Sequence, residues 1–481
     1  MLFNSWQFLI FFPLVVAAYF LLPGRFRWML LLGASYYFYM CWKPEYALLL
    51  ILSTVVDYYT ALQMGKTASP RKKKFYLGVS LSSNLGILFL FKYFNFLNAS
   101  ARAVFNHFNI FYNVPMFELL LPVGISFYTF QTLSYSIDVY RGRIEPEKHL
   151  GLFALYVTFF PQLVAGPIER STSLLPQFYR HHNFDRQRII AGLQLMLWGF
   201  FKKIVIADRL AAYVNQAYNN PAAASGIDLL AATYFFAFQI YCDFSGYSDI
   251  AIGTAKVMGF ELMENFRRPY LSKSISEFWQ RWHISLSTWF KDYLYIPLGG
   301  NRVSKWRWCC NLFVVFLVSG LWHGANWTFV VWGALHGFYL VFALLTADFR
   351  GKLLQALRLD RFNSAVKVSR ILLTFHLVLF AWIFFRANNL ADAFLIIAKI
   401  SEAVTGMLRL DMMPAISFIE ARALLLLFGL IIFMNCYERF RRALDVRLSN
   451  RYARVAVASL LFWVIMVWGA FNNQQFIYFQ F

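Results

Sequence analysis

The sequence predicts an all-helical (all-α) protein that crosses a membrane many times. Hydrophobic residues make up 59% of the chain and charged residues only 14%, whereas soluble domains carry about 25% charged residues. Apolar runs of about 20 residues recur from end to end, and each is long enough to cross a hydrocarbon layer about 30 Å thick. A membrane β-barrel would show shorter, alternating segments instead. We therefore expect a single bundle of membrane helices over residues 1–481.

The membrane-crossing segments can be located from their length and apolar composition. The candidate spans lie near residues 6–22, 27–42, 46–64, 75–97, 118–138, 188–207, 226–242, 308–322, 327–346, 371–386, 417–435 and 455–473. Two further apolar segments, 151–167 and 246–259, are too short to be ordinary spans. Irregular backbone at membrane depth persists only where protein covers it or where it lines a wet cavity. We therefore expect both segments to be re-entrant and to border an interior cavity.

Basic residues are concentrated in short loops, and the formal net charge is +21. Arginine and lysine mark cytoplasmic loops, and the basic loops after the first, third and fifth spans share one side of the membrane. The predicted cytoplasmic segments are 71–74, 260–307, 350–370 and 437–454, and the predicted external segments are 98–117 and 387–412. No nucleic-acid recognition module is present. The positive charge is therefore interpreted as a sign of membrane orientation.

Several classes of chemistry have no motif in the sequence. The patterns GxSxG and HExxH, the P-loop and the dinucleotide fingerprint are absent. The five cysteines have no metal-ligand spacing, and small apolar core residues are their simplest interpretation. We therefore expect no metal and no tightly bound cofactor. A histidine that activates an incoming hydroxyl is the simplest remaining scheme for acyl transfer.

Two histidines are the candidate catalytic residues. His323 lies in the segment VSGLWHGANW, between two tryptophans, where Gly324 and Asn326 permit a helix break. An ionisable residue at membrane depth is costly and indicates function by default, and a neutral imidazole can accept a proton from a hydroxyl. His283 is the second candidate. A structural hydrogen-bonding role is the alternative for either histidine.

One polar stretch interrupts the apolar chain, SEFWQRWHISLSTWFKDYLYIPLGGNR at residues 276–302. It mixes charged residues with tryptophan and tyrosine, and it ends in a Gly-Gly turn. Just before it, Ser274 has the pattern of a helix N-cap, with Glu277 three residues later. A helix is therefore predicted to begin there.

Several stretches, spread over nearly the whole chain, carry a resemblance to a known family. The most specific are EFWQRWHISLSTWFKDYLYIPLGGNR (277–302) and SGLWHGANWTFVVWGALHG (319–337). The others are MLFNSWQFLIFFPL, ASYYFYMCWKPEY, LPVGISFYTFQTLSYSIDVYRG, YVTFFPQLVAGPIER, QIYCDFSGYSDIAIG and FFRANNLADAF. Together they resemble the membrane-bound O-acyltransferase (MBOAT) family, and most closely its bacterial branch that acetylates exported polysaccharides.

The resemblance implies a fold and a reaction. The fold is a ring of about 11–14 membrane helices, some of them re-entrant, around a central funnel. The family's near-invariant histidine corresponds to His323, and its second polar position corresponds to His283. An acetyl group from cytoplasmic acetyl-CoA would reach an acceptor hydroxyl at the funnel, and periplasmic partner proteins would complete the acetylation of a polysaccharide such as alginate. The implied location is the bacterial inner membrane.

Candidate binding residues follow from the same resemblance. The expected donor-binding residues are Arg281, Lys291, Arg302, Lys305, Trp279, Trp282 and Tyr295. The expected funnel-lining residues are Trp322, Asn326, Asp243 and Tyr247. Cations pair with the phosphate oxygens of coenzyme A, and aromatic rings would wall a narrow tunnel for its pantetheine arm. Membrane orientation for the cations and interface anchoring for the rings remain open alternatives.

Two other functions compete with polysaccharide acetylation. The first is acyl transfer to another acceptor, as in the D-alanylation of teichoic acid, where a carrier-protein thioester is the donor. The second is transport without chemistry. Transporters often show repeated halves with paired broken helices, and no matching halves are found in this sequence.

Overall fold

The computed structural model describes residues 1–118, 120–358, 362–409, 429, 451–471 and 476–477. Within these residues all regular structure is helical, as predicted. Six of the described helical segments are long and apolar enough to cross a membrane. The protein is therefore a polytopic helical membrane protein. The expected span 417–435 and most of the expected cytoplasmic segment 437–454 lie outside the described residues.

The described α-helices follow one another with short connections. They are α1 (Trp6–Leu21), α2 (Arg27–Met40), α3 (Ala47–Lys66), α4 (Pro70–Leu88), α5 (Phe94–His107), α6 (Ile125–Tyr140), α7 (Leu150–Thr158), α8 (Phe160–Leu163), α9 (Ser171–Phe178), α10 (Arg186–Phe200), α11 (Asp208–Tyr218), α12 (Gly226–Met258), α13 (Ile275–Arg281), α14 (Ile284–Phe290), α15 (Lys305–His323), α16 (Trp327–Leu345), α17 (Ala347–Ala356), α18 (Asn363–Arg386), α19 (Leu390–Leu408) and α20 (Arg451–Trp468). Wider π-helical turns occupy Phe89–Tyr93, Phe201–Ala207 and Lys291–Tyr295. Such turns often occur at functional sites.

Glycines let α10 and α12 approach each other closely. A Cβ on Gly192 would lie 2.8 Å from the carbonyl oxygen of Gly253, and a Cβ on Gly199 would lie 2.6 Å from that of Gly246. The two glycines of each helix are seven residues apart in the sequence, so they lie on one helix face. Membrane helices associate through small residues because lipid provides no hydrophobic force between them. These glycines therefore fix the α10–α12 contact.

Helix α12 corrects one prediction. Residues 246–259 are mostly the continuation of this helix and not a separate re-entrant segment. The charged residues of this helix are paired inside the bundle, with Lys203 Nζ 2.6 Å from Asp243 and Lys202 Nζ 2.7 Å from Asp249. Charges in a membrane helix are tolerated when they pair with one another. The sequence pattern did not show that these residues face each other.

The segment 151–167 is broken, as its proline predicts. Helix α7 ends at Thr158, and the short helix α8 begins at Phe160, one residue before Pro161. The backbone N–H of Phe160 donates a hydrogen bond to Ser35 Oγ at 3.0 Å. Protein therefore covers and satisfies this irregular backbone, which is the condition for its presence in a membrane.

A buried carboxyl group joins α3, α4 and α6. The side chain of Asp57, on α3, accepts hydrogen bonds from Ser80 Oγ at 2.5 Å and from Asn84 Nδ2 at 2.9 and 3.0 Å, both on α4. Ser136 Oγ, on α6, donates to the same carboxyl group at 3.3 Å. A buried polar group needs such partners, so this network holds three helices in one arrangement.

Candidate active site

A helix break places His323 at the end of α15, where the sequence predicts one. The chain becomes extended at Gly324, and a Cβ there would lie 2.1 Å from the ring of Phe329. Asn326 caps the next helix, α16, because its Oδ1 accepts a hydrogen bond from the N–H of Thr328 at 3.0 Å. Helix α15 therefore ends in a sharp turn that directly follows the candidate base.

Close packing of α15 against α16 fixes this turn. A Cβ on Gly320 would lie 2.3 Å from the carbonyl oxygen of Phe329 and 3.1 Å from the Cα of Gly333. Only glycine permits such an approach of two backbones. Gly320 precedes His323 by one helical turn, so the helix contact and the position of the histidine are linked.

The imidazole of His323 is buried among aromatic rings. His323 is only 3% exposed to solvent. Its ring centroid lies 5.0 Å from that of Trp322, 4.9 Å from that of Trp332 and 5.4 Å from that of Phe385. An apolar enclosure of this kind favours the neutral imidazole, which is the form that accepts a proton.

His283 occupies an unusual backbone conformation at the start of α14. Its φ and ψ are +44° and +56°, in the left-handed region, and the residue is fully buried. Non-glycine residues seldom adopt this conformation, and those that do cluster at functional sites. The ring also packs 4.5 Å from that of Phe244, on α12. Backbone geometry and packing therefore both orient this imidazole.

A contact with Asn265 indicates the tautomer of His283. Asn265 Oδ1 accepts hydrogen bonds from the N–H and the hydroxyl of Ser285, at 3.2 and 2.7 Å. The same oxygen lies 3.4 Å from Nδ1 of His283. Because this oxygen only accepts, Nδ1 carries the proton in this contact. Nε2 of His283 is then the acceptor nitrogen.

The indole ring of Trp322 packs against both histidines. The centroid of Trp322 lies 5.0 Å from that of His323 and 6.1 Å from that of His283. The structure therefore packs the two candidate residues against the same ring, although the 39 residues 284–322 lie between them in the chain. The histidine pair and Trp322 form the candidate catalytic centre.

Lys92 is a residue of this centre that the sequence analysis did not single out. It lies in the π-helical turn Phe89–Tyr93, and its Nζ donates to the carbonyl oxygens of Trp322 at 2.7 Å and His323 at 3.2 Å. The last carbonyls of a helix have no partner within it and carry partial negative charge. Lys92 therefore caps α15 at the candidate base. Its position as a lone lysine in an apolar run was a signal that could have identified it.

A polar cavity of about 570 Å³, the cavity beside His323, is lined by Gly324, the residue that directly follows His323, and not by His323 itself. Its polar lining residues are Lys92, Asn215, Asn219, Asn326, Arg386 and Asn388. Arg386 Nη2 donates to the side-chain oxygens of Asn215 at 2.6 Å and Asn219 at 3.1 Å. None of the described residues that line this cavity carries a carboxylate. Its chemistry suits a ligand with hydroxyl groups or negative charge.

The expected funnel-lining residues divide between several places. Asn326 lines this cavity. The ring of Trp322 instead packs against that of His323, among the buried aromatic rings. Asp243 is buried in its ion pair with Lys203, and Tyr247 packs 4.6 Å from Phe3. Neither Asp243 nor Tyr247 is among the lining residues of the cavity beside His323.

The expected donor-binding cations lie along the polar stretch. Lys291, Arg302 and Lys305 are exposed. Arg281 instead forms an ion pair of 2.5 Å with Glu277. As predicted, Ser274 caps the start of α13, because its Oγ accepts a hydrogen bond of 3.1 Å from the backbone N–H of Glu277.

The expected donor-binding aromatic residues are mostly buried. Trp279 donates from Nε1 to Nδ1 of His336 at 3.3 Å. Trp282 is completely buried and packs 5.2 Å from Trp382. Tyr295 is half-buried. These rings therefore serve packing around the centre, and the sequence prediction of a tunnel wall at these positions stays a prediction.

A row of aromatic rings connects the polar stretch to the candidate centre. The centroids of Tyr293 and Trp289 are 5.1 Å apart, Trp289 stacks on Phe130 at 3.8 Å, and Phe130 lies 5.4 Å from Trp322. At the outer end of this row, the guanidinium groups of Arg141 and Arg170 lie 5.5 and 4.7 Å from the Tyr293 ring. The sequence analysis did not assign either arginine to this region.

Comparison with known proteins identifies the class to which this fold and site belong. A model of the membrane-bound O-acyltransferase family matches residues 148–385, a range that includes both candidate histidines. Relatives with at least 35% identity cover most of the chain. The chain belongs to the membrane-bound O-acyltransferase family, and it is an O-acyltransferase of that family.

The curated relatives act on different acceptors. The chain is 42% identical over 396 residues to the probable alginate O-acetylase AlgI of Azotobacter vinelandii, covering 81% of this chain and 76% of the relative. It is 35% identical over 442 residues to the peptidoglycan O-acetyltransferase of Helicobacter pylori, covering 85% and 80%. It is 28% identical over 292 residues to the teichoic acid D-alanyltransferase of Bacillus subtilis, covering 56% and 70%.

Proposed function

We propose that this protein is an O-acetyltransferase of the bacterial inner membrane that takes an acetyl group from cytoplasmic acetyl-CoA for the O-acetylation of an exported polysaccharide such as alginate. One observation carries the proposal. His323 directly precedes Gly324, which lines the polar cavity, and its ring packs on Trp322 at the end of a row of buried aromatic rings. In this proposal the hydroxyl acceptor approaches the imidazole from the cavity, and the slender thioester arm approaches it from the side of the aromatic row.

The proposed reaction balances without a cofactor. The imidazole of His323 accepts the proton of the acceptor hydroxyl while the hydroxyl oxygen attacks the thioester carbonyl carbon. The new C–O bond forms, the C–S bond breaks, and the departing thiolate takes the proton back from the imidazolium. The products are the acetyl ester and coenzyme A. His283, with Nε2 as its acceptor nitrogen, orients the incoming hydroxyl.

Charge on each side of His323 supports this assignment of the two substrates. The exposed cations Lys291, Arg302 and Lys305 suit the phosphates of coenzyme A. The cavity with Lys92, Arg386 and four asparagines suits a hydroxyl-rich acceptor. In this proposal periplasmic partner proteins carry the acetyl group from the cavity to the polysaccharide.

The acceptor is the finer part of the proposal. The relatives of 42% and 35% identity are named for alginate and for peptidoglycan. The relative named for teichoic acid D-alanylation has a lower identity of 28%. Alginate therefore has the stronger support among the three, and a carrier-protein donor has the weaker support.

The test is an incubation of the purified full-length protein with radiolabelled acetyl-CoA. We expect bound acetyl-CoA and release of free coenzyme A thiol that increases when membranes containing the acceptor machinery are added. A protein that ignores acetyl-CoA but accepts a thioester on a carrier protein would move the proposal to the D-alanylation type. A protein that transports the polysaccharide without consuming any thioester would refute acyl transfer by this chain.

A further inference from the structure

A second cavity, of about 370 Å³, shares no lining residue with the cavity beside His323. Four segments of the chain meet around it: the end of α1 with the start of α2, the start of α7, the end of α9 with the loop after it, and Phe260. Cavities of this size are typical of small-ligand sites. The convergence of four separate segments makes this a formed pocket and not a crevice within one loop.

One wall of this cavity is strongly basic. It carries Arg25, Arg27 and Arg180 together with the imidazoles of His149, His181 and His182. No carboxylate is among the lining residues. Among the described residues, none of these three arginines forms an ion pair. The wall therefore presents positive charge that the protein does not neutralise.

The carboxylate of Glu147 borders this wall but is not among its lining residues, and its hydrogen bonds hold it against Tyr179 and His149. It accepts hydrogen bonds from the hydroxyl of Tyr179 at 2.7 Å and from the backbone N–H of His149 at 2.8 Å. The pKa of His182 is lowered, first by partial burial and then by the positive charges of Arg188, Arg180 and Arg27. The positive groups of this wall repel one another, and a bound anion would reduce that repulsion.

The basic wall is held in place by backbone contacts. Arg27 Nη1 donates to the carbonyl oxygen of His182 at 2.6 Å, and its guanidinium lies 4.8 Å from the ring of Tyr19. A Cβ on Gly24 would lie 3.0 Å from the His181 ring, and a Cβ on Gly259, where φ is +104°, would lie 2.8 Å from His182. The chain is therefore closely fitted around these groups.

The other wall of the cavity is apolar and lies at the ends of membrane helices. It is formed by Leu31, Leu152, Leu155, Phe178 and Phe260. Arg25 and Arg27 belong to a loop whose basic charge predicts the cytoplasmic side. The cavity therefore combines a basic and an apolar surface at the level where phospholipid headgroups lie.

We propose that this cavity binds the phosphate group of an anionic phospholipid. The phosphate lies among Arg25, Arg27 and Arg180, and the glycerol and first acyl carbons contact the apolar wall. Basic pockets between membrane helices bind acidic headgroups on the cytoplasmic side. Membrane orientation explains basic residues in a loop, but it does not explain why four segments bring them around one cavity. The proposal is independent of acyl transfer.

The experiment uses the purified, delipidated full-length protein and measures phosphatidylglycerol binding by native mass spectrometry. The test variant is R25Q/R180Q, which leaves the structural contacts of Arg27 intact. The control is K72Q/K74Q, which removes two exposed lysines from the start of α4, on the same predicted side of the membrane. We expect phosphatidylglycerol to bind the wild type and the control equally, and the test variant about thirtyfold more weakly.

Three results would overturn the proposal. The first is wild-type protein that binds phosphatidylglycerol no better than phosphatidylcholine. The second is an equal loss in the control variant. The third is a loss of coenzyme A or inorganic phosphate binding in R25Q/R180Q with phosphatidylglycerol binding unchanged, which would assign the site to a soluble phosphate. If the double variant does not fold, R180Q alone carries the test, with an expected loss of about fivefold.

Discussion

Replacing Lys92 by methionine is expected to slow acetyl transfer about ten- to hundredfold while the protein stays folded. Lys92 holds the carbonyl oxygens of Trp322 and His323 at 2.7 and 3.2 Å. A hydrogen bond to a charged group contributes about 1.5–3 kcal/mol. If the loss of one such hydrogen bond displaces His323 and raises the activation free energy by the same amount, the rate falls about tenfold for each 1.4 kcal/mol. Methionine keeps the apolar length of the side chain and removes the ammonium group together with its hydrogen bonds.

The assay is the initial rate of acetyl transfer from labelled acetyl-CoA by protein in vesicles. Because Lys92 acts on the helix end, the KM for acetyl-CoA should stay constant while kcat falls, and K92R should recover part of the rate. Lys74, exposed at the start of α4, provides the control variant K74M. A K92M protein with wild-type kcat and wild-type Tm would refute the assigned role of Lys92.

Three further substitutions test the site and its scaffold. His323→Ala should lower acetyl transfer about 10²- to 10⁴-fold, the usual cost of losing a general base, while the protein still folds and inserts; near wild-type polysaccharide acetylation would contradict the assignment. His283→Ala should also lower turnover, whereas an unchanged rate with a lower Tm would show a structural role. Gly320→Ala should destabilise the protein by about 1–3 kcal/mol because its Cβ meets the Phe329 carbonyl, while the matched helical variant Gly78→Ala, with open space around it, should leave Tm unchanged or raise it.

The sequence was sufficient for the class of fold, and it singled out two histidines whose rings the structure packs against one indole ring. Apolar run length identifies membrane helices because the bilayer sets their length. The cost of a polar group at membrane depth singled out His323, and the Gly324–Asn326 break is found where those residues allow it. These are local properties, which a single sequence contains.

Properties that depend on pairing between distant segments were not accessible in the same way. The sequence predicts a separate re-entrant segment at 246–259, but these residues mostly continue α12, whose Asp243 and Asp249 pair with lysines about 40 residues away in the chain. The contact between Arg170 and the Tyr293 ring also joins segments that are far apart in the chain. The capping of α15 by Lys92 also depends on a tertiary contact across 231 residues. The signs of the charges and the positions of the apolar runs do not show which side chains contact each other in the fold.

The partners of each buried cation separate structural charges from those available to a substrate. Lys202 and Lys203 pair with aspartates on α12 and complete an internal network. Lys92 and Arg386 use carbonyl and amide oxygens instead, and no carboxylate among the described residues pairs with them. Neutral oxygens satisfy the hydrogen-bond donors of a cation but leave its net charge in place. Both Lys92 and Arg386 line the cavity beside His323, so under the proposed function their positive charge faces the space that the acceptor would occupy.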